Sequence, residues 1–324
     1  MQIDVSVALS TYNRCSLLGP ALQALLDQDG GALNYEILVV DNNSSDGTRE
    51  LVESLVTNNP EKLHYLFEER QGLSYGRNAG IAAARTPIIA FTDDDVRVPP
   101  DWVAQIKRGF EADPGIDFLG GKVLPHWASP PPRWLTRKHW APLALLDYGD
   151  QPFFVDAEKR LCLIGANLAF RRRVFDEVGM FKTDLQRVKD GIGSLEDHEM
   201  LLRLWRAHRK GLYVPHLIVT AEIEAERLQK DYHRRWHAGH GRFYAALHDE
   251  EVERSHVGRI LGVPAHFYRQ ALRDGVGWTR DSLRNSPDEA FTRELRIRHF
   301  AGFCGRRWRD FLGLNPSWSH SESR

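Results

Sequence analysis

The chain has 324 residues, 42% hydrophobic and 27% charged, the make-up of a globular protein able to bury a core. Its 43 lysines and arginines against 44 acids leave a net charge of −1, which offers no field for a polyanion and argues against nucleic acid as a partner. Cys15, Cys162 and Cys304 lie far apart without CxxC spacing, a pattern against structural disulfides or a cysteine zinc site and in keeping with a reducing cytoplasm.

The opening MQIDVSVALSTYNR enters an alternating apolar pattern at once, without the basic and apolar regions of a signal peptide. No window approaches the ~18 uninterrupted apolar residues of a membrane span. A soluble cytoplasmic protein is expected, at most peripheral at the inner face of the membrane. Asp4 to Ser10 reads as a strand, and Ser16 to Gln28 has helical spacing through Leu17, Leu18, Leu22, Leu25 and Leu26. Tyr35 to Asp41 is a second strand, Thr48 to Val56 a helix, and KLHYLFE a third strand. Leu73 to Ala84 is a helix, PIIAFT a fourth strand, and Pro99 and Pro100 lead into a helix from Asp101 to Glu111. Such alternation predicts βαβ units and a parallel sheet covered on both faces.

From Gly115 to Gly165 the pattern weakens, and PHWASPPPRWL reads as a proline-rich loop carrying Trp127 and Trp134. IGANLAFRR predicts a strand leading into a short helix. GSLEDHEMLLRLWRAHRKG predicts a helix with Leu201, Leu204 and Trp205 on one face and Gly211 closing it. After Thr220 the chain turns helical, charged and aromatic up to SWSHSESR, whose last residues are expected to be disordered. The division is an α/β domain over 1–220 and a helical extension over 221–324.

In sheets of this kind ligands gather at the carboxyl ends of the strands. STYNR follows the first strand, DNNSSDGT the second, ERQGLSYGRN the third and TDDD the fourth, so one crevice can receive all four. A capped βα turn accounts for Asp46, Gly47 and Thr48. It does not account for Asp41, whose carboxylate could accept an N–H from a nucleobase edge.

Asp93, Asp94 and Asp95 crowd three like charges after an apolar strand, a poor place for a solvated charge run. A shared Mg²⁺ or Mn²⁺ held together with substrate phosphate oxygens would relieve the repulsion and stabilise a departing diphosphate. Asp93 and Asp95 are the better ligands, since strand alternation turns Asp94 to the other side. Glu196 and Asp197 open a helix, where one acid is explained by the helix dipole; two, with Glu199 close behind, exceed that need. A carboxylate there could act as general base on a hydroxyl. His233, His237 and His240 share a helical face, which suits either a zinc site, or packing with Trp236 and Tyr244, or one histidine reaching back to the aspartate-bound metal.

In their order and spacing, STYNR, VVDNNSSDGT, GLSYGRNAGI, FTDDD, GANLAF and LEDHEMLLRL resemble the family 2 glycosyltransferases, over roughly residues 3 to 220. The resemblance implies the Rossmann-like GT-A fold, a mixed, mainly parallel sheet flanked by helices, with 1–98 as nucleotide-binding half and 99–220 as acceptor half. By likeness Thr11, Tyr12, Asn13, Arg14 and Asp41 hold the nucleotide of a nucleotide-sugar, and Arg77 and Asn78 line the same pocket. Asp93 and Asp95 match the D-x-D element that binds Mn²⁺ or Mg²⁺ on the diphosphate, with Asp94 beside them and His233 as a further metal candidate. Glu196 and Asp197 match the pair that supplies the base of an inverting displacement, and Asn167 falls where the donor-sugar or acceptor pocket is lined. The donor expected is a nucleotide-sugar, UDP favoured, and the acceptor a glycan, lipid-linked or small-molecule hydroxyl.

Processive synthases of the family carry Q-x-x-R-W between membrane helices. Here YHRRW has Tyr232 at the glutamine place and no flanking membrane helix, which argues for single-sugar transfer. A haloacid-dehalogenase-type phosphatase would need Thr or Val where Arg97 stands, and a sugar nucleotidyltransferase a glycine-rich loop where STYNR has none. The alternative from another class is a non-catalytic nucleotide-sugar or glycan-binding protein on the same fold. Finally, TRELRIRHFAGFCGRRWRDFLGL mixes arginines with Phe300, Phe303, Trp308 and Phe311. That tail reads either as a terminal helix packing on the core or as a basic amphipathic element touching anionic lipid.

Overall fold

The computed structural model describes residues 3–29, 33–186, 191–192, 195–247, 249, 253 and 256–314. The expected tail SWSHSESR lies outside them. Contacts divide the chain into two compact units, Met1–Gly191 with Glu196–Leu228, and Ile192–Leu195 with Gln229–Arg324.

The first unit is built on one sheet. Strands β1 (Val5–Thr11), β2 (Tyr35–Asp41), β3 (Leu63–Phe67) and β4 (Ile88–Asp93) alternate with helices α1 (Cys15–Leu26), α2 (Thr48–Asn58) and α3 (Leu73–Ala83). All four strands are parallel, in the order β3-β2-β1-β4. Every residue of β2 is buried, as a strand covered on both faces requires.

The sheet continues through residues whose sequence pattern was weak. After β5 (Val96–Arg97) and α4 (Trp102–Ala112) come β6 (Phe118–Trp127), β7 (Phe153–Val155), β8 (Leu168–Arg171), α5 (Arg173–Val178), α6 (Glu196–Arg206) and β9 (Gly211–Ile223). β8 runs antiparallel between β4 and β6, β6 pairs in parallel with β9, and β5 and β7 pair antiparallel to β9.

Four expectations are corrected here. Pro125 to Trp127, read as the start of a loop, ends β6, and residues 221–223, read as the start of the helical stretch after Thr220, end β9, the longest strand among the described residues. β9 was hidden by Pro215 in its interior. The β6–β9 register jumps at that point, from Gly121 opposite Val214 to Lys122 opposite Ile218, and the bulge removes Pro215 from the ladder. Gly121 permits it, since a Cβ there would collide with the carbonyl of Leu217. Helix α6 ends at Arg206 rather than near Gly211. His208 adopts a left-handed conformation (φ 55°), and the N–H groups of Arg209 and His208 bond the carbonyls of Leu204 and Trp205 at 2.8 and 3.0 Å. That is a Schellman closure made by a histidine, and it frees Gly211 to begin β9. IGANLAFRR also differs slightly: a single 3₁₀ turn at Gly165–Asn167 precedes β8 and the short α5.

Among the described residues the second unit contains α7 (Lys230–Leu247), a two-strand ribbon of β10 (Arg259–Ile260) and β11 (Val263–Pro264), α8 (Ala265–Leu283) and α9 (Pro287–Phe311). Ala245, Val263, Phe303 and Cys304 form its core, with Tyr244, Phe267, Tyr268 and Phe300 against it. No helix among the described residues is long and apolar enough to cross a membrane.

Candidate active site

Strand register assembles the site. Thr11 lies opposite Asp41 and Ser10 opposite Asp93, so the carboxyl ends of β1, β2 and β4 finish level. β1 stands between β2 and β4, so the chain order reverses beside it, the position at which open α/β sheets take their ligands.

Asp41 is 2% exposed. Its Oδ1 accepts the Ser44 N–H at 2.9 Å and its Oδ2 the Tyr65 hydroxyl at 2.8 Å. Burial and Asp41 push the Tyr65 phenol up to about 12, so it remains a donor near neutrality. Asn13, left-handed at φ 51°, accepts the Ser45 N–H at 2.7 Å and donates its own N–H to Ser44 at 3.0 Å. STYNR is thereby fastened to the turn after Asp41. Tyr12 in that loop is half-buried.

Of the three aspartates only Asp93 belongs to the strand; Asp94 and Asp95 form the turn into β5, so alternation does not govern them. The side chains of Asp93, Asp94 and Asp95 are 32, 6 and 9% exposed. Asp94 accepts from Thr11 Oγ1 on one oxygen and from Arg14 Nη1 on the other, both at 2.8 Å. Burial pushes its carboxyl up to about 6, with Arg14 acting against that shift. Arg14 also lies 3.0 Å from Asp95 Oδ2 and donates to Glu224 at 2.9 Å, and Arg227 approaches Asp95 Oδ2 at 3.3 Å. Burial opposes the Arg14 charge, but the surrounding acids outweigh it and hold the guanidinium firmly protonated.

Arg77 on α3 joins this cluster to the acids of α6. Its Nη1 donates to Glu196 at 3.0 Å and to Asp197 at 2.5 Å, while Nη2 stands 4.0 Å from Asp93. The guanidinium lies 5.3 Å from the Phe181 ring, and Asp197, Glu196 and Asp93 raise its basicity despite its burial. Asp197 further accepts the Gly165 N–H at 2.9 Å. Gly165 carries no side chain for cause: a Cβ would meet the Arg77 guanidinium and the Asp197 carboxylate. Cys162 is held as a neutral thiol by burial and by the nearby Asp197 and Glu196. The start of α3 is fixed by Gln186, which accepts the Ser74 N–H at 2.7 Å, and by Asn42, which accepts that of Gly72 at 2.7 Å.

Two candidates are used inside the fold. Asn78 exchanges both its amide functions with the backbone of Phe181, at 2.8 and 2.9 Å. Asn167, 1% exposed, accepts from Trp102 Nε1 at 2.8 Å and donates to the carbonyls of Lys122 and Leu217, both at 2.9 Å. His233 is fully buried on α7, in the second unit. On the same helix the His240 ring stacks on Trp236 with centroids 4.4 Å apart, which is the aromatic packing arrangement. Among the described residues no group of three or more His, Cys, Asp and Glu side chains converges as a metal cage. Glu224, Arg227, Tyr65, Gln186 and Trp102 escaped sequence reasoning. The first two follow a strand that was not recognised, and the others carry no local motif.

The family model described as glycosyl transferase family 2 matches residues 6–179, more than half of the chain. The chain belongs to that family. Among curated relatives, a glucosyl-dolichyl phosphate glucuronosyltransferase of Haloferax volcanii is 26% identical over 206 residues, 63% of this chain and 64% of that protein. A validoxylamine A glucosyltransferase of Streptomyces hygroscopicus is 34% identical over 104 residues, 32% of this chain and 24% of that protein. The chain thus spans less than two thirds of the length of these family members. Among solved structures, a mannosyltransferase from Pyrobaculum calidifontis in complex with GDP-Man and Mn²⁺ aligns with TM-score 0.58 at 16% identity, covering 92% of this chain and 87% of that one. S. aureus TarS in complex with UDP aligns with TM-score 0.54 at 16% identity, over 96% and 92% of the two chains. The fold is therefore GT-A.

Proposed function

We propose that the chain is an inverting glycosyltransferase that moves one sugar from a nucleotide-sugar to a hydroxyl acceptor. The observation that carries the reading is Arg77, whose single guanidinium holds Glu196 and Asp197 while standing 4.0 Å from Asp93. Acids suited to base catalysis and acids suited to a diphosphate site are thereby held within one side chain's reach. The structural neighbours with GDP-Man and Mn²⁺, or with UDP, support a nucleotide-sugar donor.

Asp41 accepts one hydrogen bond on each oxygen and keeps lone-pair capacity for the imide N–H of uracil, which favours UDP. Arg14 and Asn13 line the neighbouring loop. Asp93 and Asp95 offer hard carboxylate oxygens, a donor set that fits Mn²⁺ or Mg²⁺ with phosphate and water completing the shell. Such an ion, when bound, would neutralise charge on the leaving diphosphate. Asp94 serves as scaffold, because Thr11 and Arg14 engage both its oxygens.

Asp197 is the base in this reading. Its side chain is 17% exposed, against 3% for Glu196, so it is the one an acceptor hydroxyl can reach. The Gly165 N–H and Arg77 orient it, and Glu196 helps hold Arg77 in place. The acceptor is a glycan, a lipid-linked hydroxyl or a small molecule; a relative named for glucosyl-dolichyl phosphate keeps the lipid-linked class in view.

The test is a panel of UDP-, dTDP- and GDP-sugars screened with Mn²⁺ for thermal stabilisation and transfer. At ~100 times its dissociation constant a true donor stabilises by about 2.7 kcal/mol. Asp197→Asn should keep donor binding and lose on the order of 10²–10⁴-fold in rate, as for a lost general base. No shift with any nucleotide, or normal transfer by both the Asp197→Asn and Glu196→Gln variants, would end the reading.

A further inference from the structure

The arginine-rich tail, for which packing on the core and contact with lipid were both open, has mostly found acids. On α9, Arg293 donates to Asp281 at 2.6 Å, Arg296 to Asp274 at 2.7 Å and Arg306 to Asp310 at 3.0 Å, while Phe291 and Phe303 are buried. Basic amphipathic character survives one helix earlier, on α8.

Leu272, Val276 and Leu283 of α8 are 70, 64 and 84% exposed. Spaced by four and seven residues, they form one stripe, and Arg269, Arg273, Arg280 and Arg284 run along its edge. At roughly 100° per residue, stripe and arginines fill one sector about 120° wide. The acids Asp274 and Asp281 sit on the opposite side, 2 and 6% exposed and bound to α9. Arg280 reaches back to Asp281 at 3.0 Å, whereas Arg269, Arg273 and Arg284 form no ion pair with a described residue. Tyr268, one turn before Leu272, extends the surface: it accepts from Trp308 Nε1 at 3.0 Å and donates to the Ile260 carbonyl at 3.1 Å. Ile260 and Trp308 are themselves 55 and 40% exposed.

A helix with its acids turned inward, and with its leucines and three arginines that pair with no described acid turned outward, is inconsistent with a merely solvated face. Pairing with a second copy across a two-fold axis would set arginine rows against each other, since both copies present the same patch. Charge complementarity instead calls for a flat anionic surface that also accepts apolar side chains. We propose that the outer face of α8 docks the protein on anionic phospholipid, with Leu272, Val276 and Leu283 entering the headgroup boundary and the arginines meeting lipid phosphate. The proposal is independent of sugar transfer, and its test reads binding alone.

The full-length protein is sedimented with phosphatidylcholine vesicles, with and without phosphatidylglycerol, at low and high salt. It should pellet only with the anionic vesicles and return to the supernatant in high salt. Each lost arginine should weaken partitioning about fivefold, from roughly 1 kcal/mol per basic residue at an anionic surface. Arg269→Gln with Arg273→Gln should therefore cost on the order of 20-fold, and Leu272→Ser with Leu283→Ser at least tenfold. All four positions are exposed, so unchanged thermal unfolding should confirm that both variants fold. Wild-type protein that stays in the supernatant, or variants that bind like wild type, would overturn the proposal. So would a wild-type dimer in solution that the arginine or leucine variant splits, which would assign the face to a second copy.

Discussion

Replacing Arg77 by methionine, which keeps the aliphatic bulk and removes the charge, tests whether the centre of the site is held by one buried cation. The side chain of Arg77 is 5% exposed, and those of Glu196 and Asp197 are 3 and 17% exposed. Asp93, at 4.0 Å and a third exposed, contributes little, as solvent screens it. The cost falls on the other two. Breaking a buried ion pair from one side costs about 3–5 kcal/mol, because a carboxylate remains desolvated without its partner. Equilibrium unfolding in urea at neutral pH should show a loss of that size.

The same variant carries a sign that simple loss of packing lacks. Without Arg77, burial raises the carboxyl pKa values of the folded state above those of the unfolded chain. The folded variant then binds more protons than the unfolded chain at mildly acid pH, so its stability rises as pH falls. The gap to wild type should narrow on acidification, and Glu196→Gln in the Arg77→Met background should recover part of the loss. A loss below about 1 kcal/mol, or a gap that does not change with pH, would refute this account of Arg77.

On the proposed site, Arg14→Gln should raise the affinity for Mn²⁺ alone by about 5- to 30-fold, equivalent to one or two kcal/mol, because Arg14 competes for Asp95, while weakening nucleotide binding. Paramagnetic titration of Mn²⁺ without nucleotide reads the first effect, and an unchanged affinity would sink it. His299 is lowered to about 4 by burial and faces His240 at 3.4 Å, so the unfolded chain takes up a proton below about pH 6.5 that the folded one refuses. Stability of the helical unit should fall as pH drops from there toward 4, less steeply in His299→Gln; parallel slopes for the two proteins would disprove it.

How much of this could be read beforehand depends on where the information sits. The first four strands and three helices were legible because each carries its own periodicity, and the sheet end where ligands gather follows from that alternation alone. β6 and β9 were not. Their glycines and Pro215 look like loop until Gly121 meets the Leu217 carbonyl across the bulge, a contact between distant segments. Missing β9 meant missing Glu224 and Arg227, which follow that strand and meet Arg14 and Asp95 respectively. Asn167 was singled out, but its clamp on Trp102, Lys122 and Leu217 depends on three segments far from it in the chain.

The three aspartates show how a correct question can receive a partial answer. Their crowding at a strand end does call for positive charge, and a divalent ion is one source of it. Three guanidinium groups supply it within the chain itself: Arg14 on Asp94 and Asp95, Arg227 on Asp95, and Arg77 near Asp93. Only Arg14 and Arg77 lay within recognisable motifs, and neither motif states which acid its arginine faces. The arrangement has a chemical consequence. A site already neutralised by arginines can fold without metal, and under the proposed function Asp95 would be free to hold an ion once a diphosphate took its place on Arg14. The diphosphate would then supply the negative charge that Arg14 loses with Asp95, so on this proposal nucleotide and ion should bind more tightly together than apart.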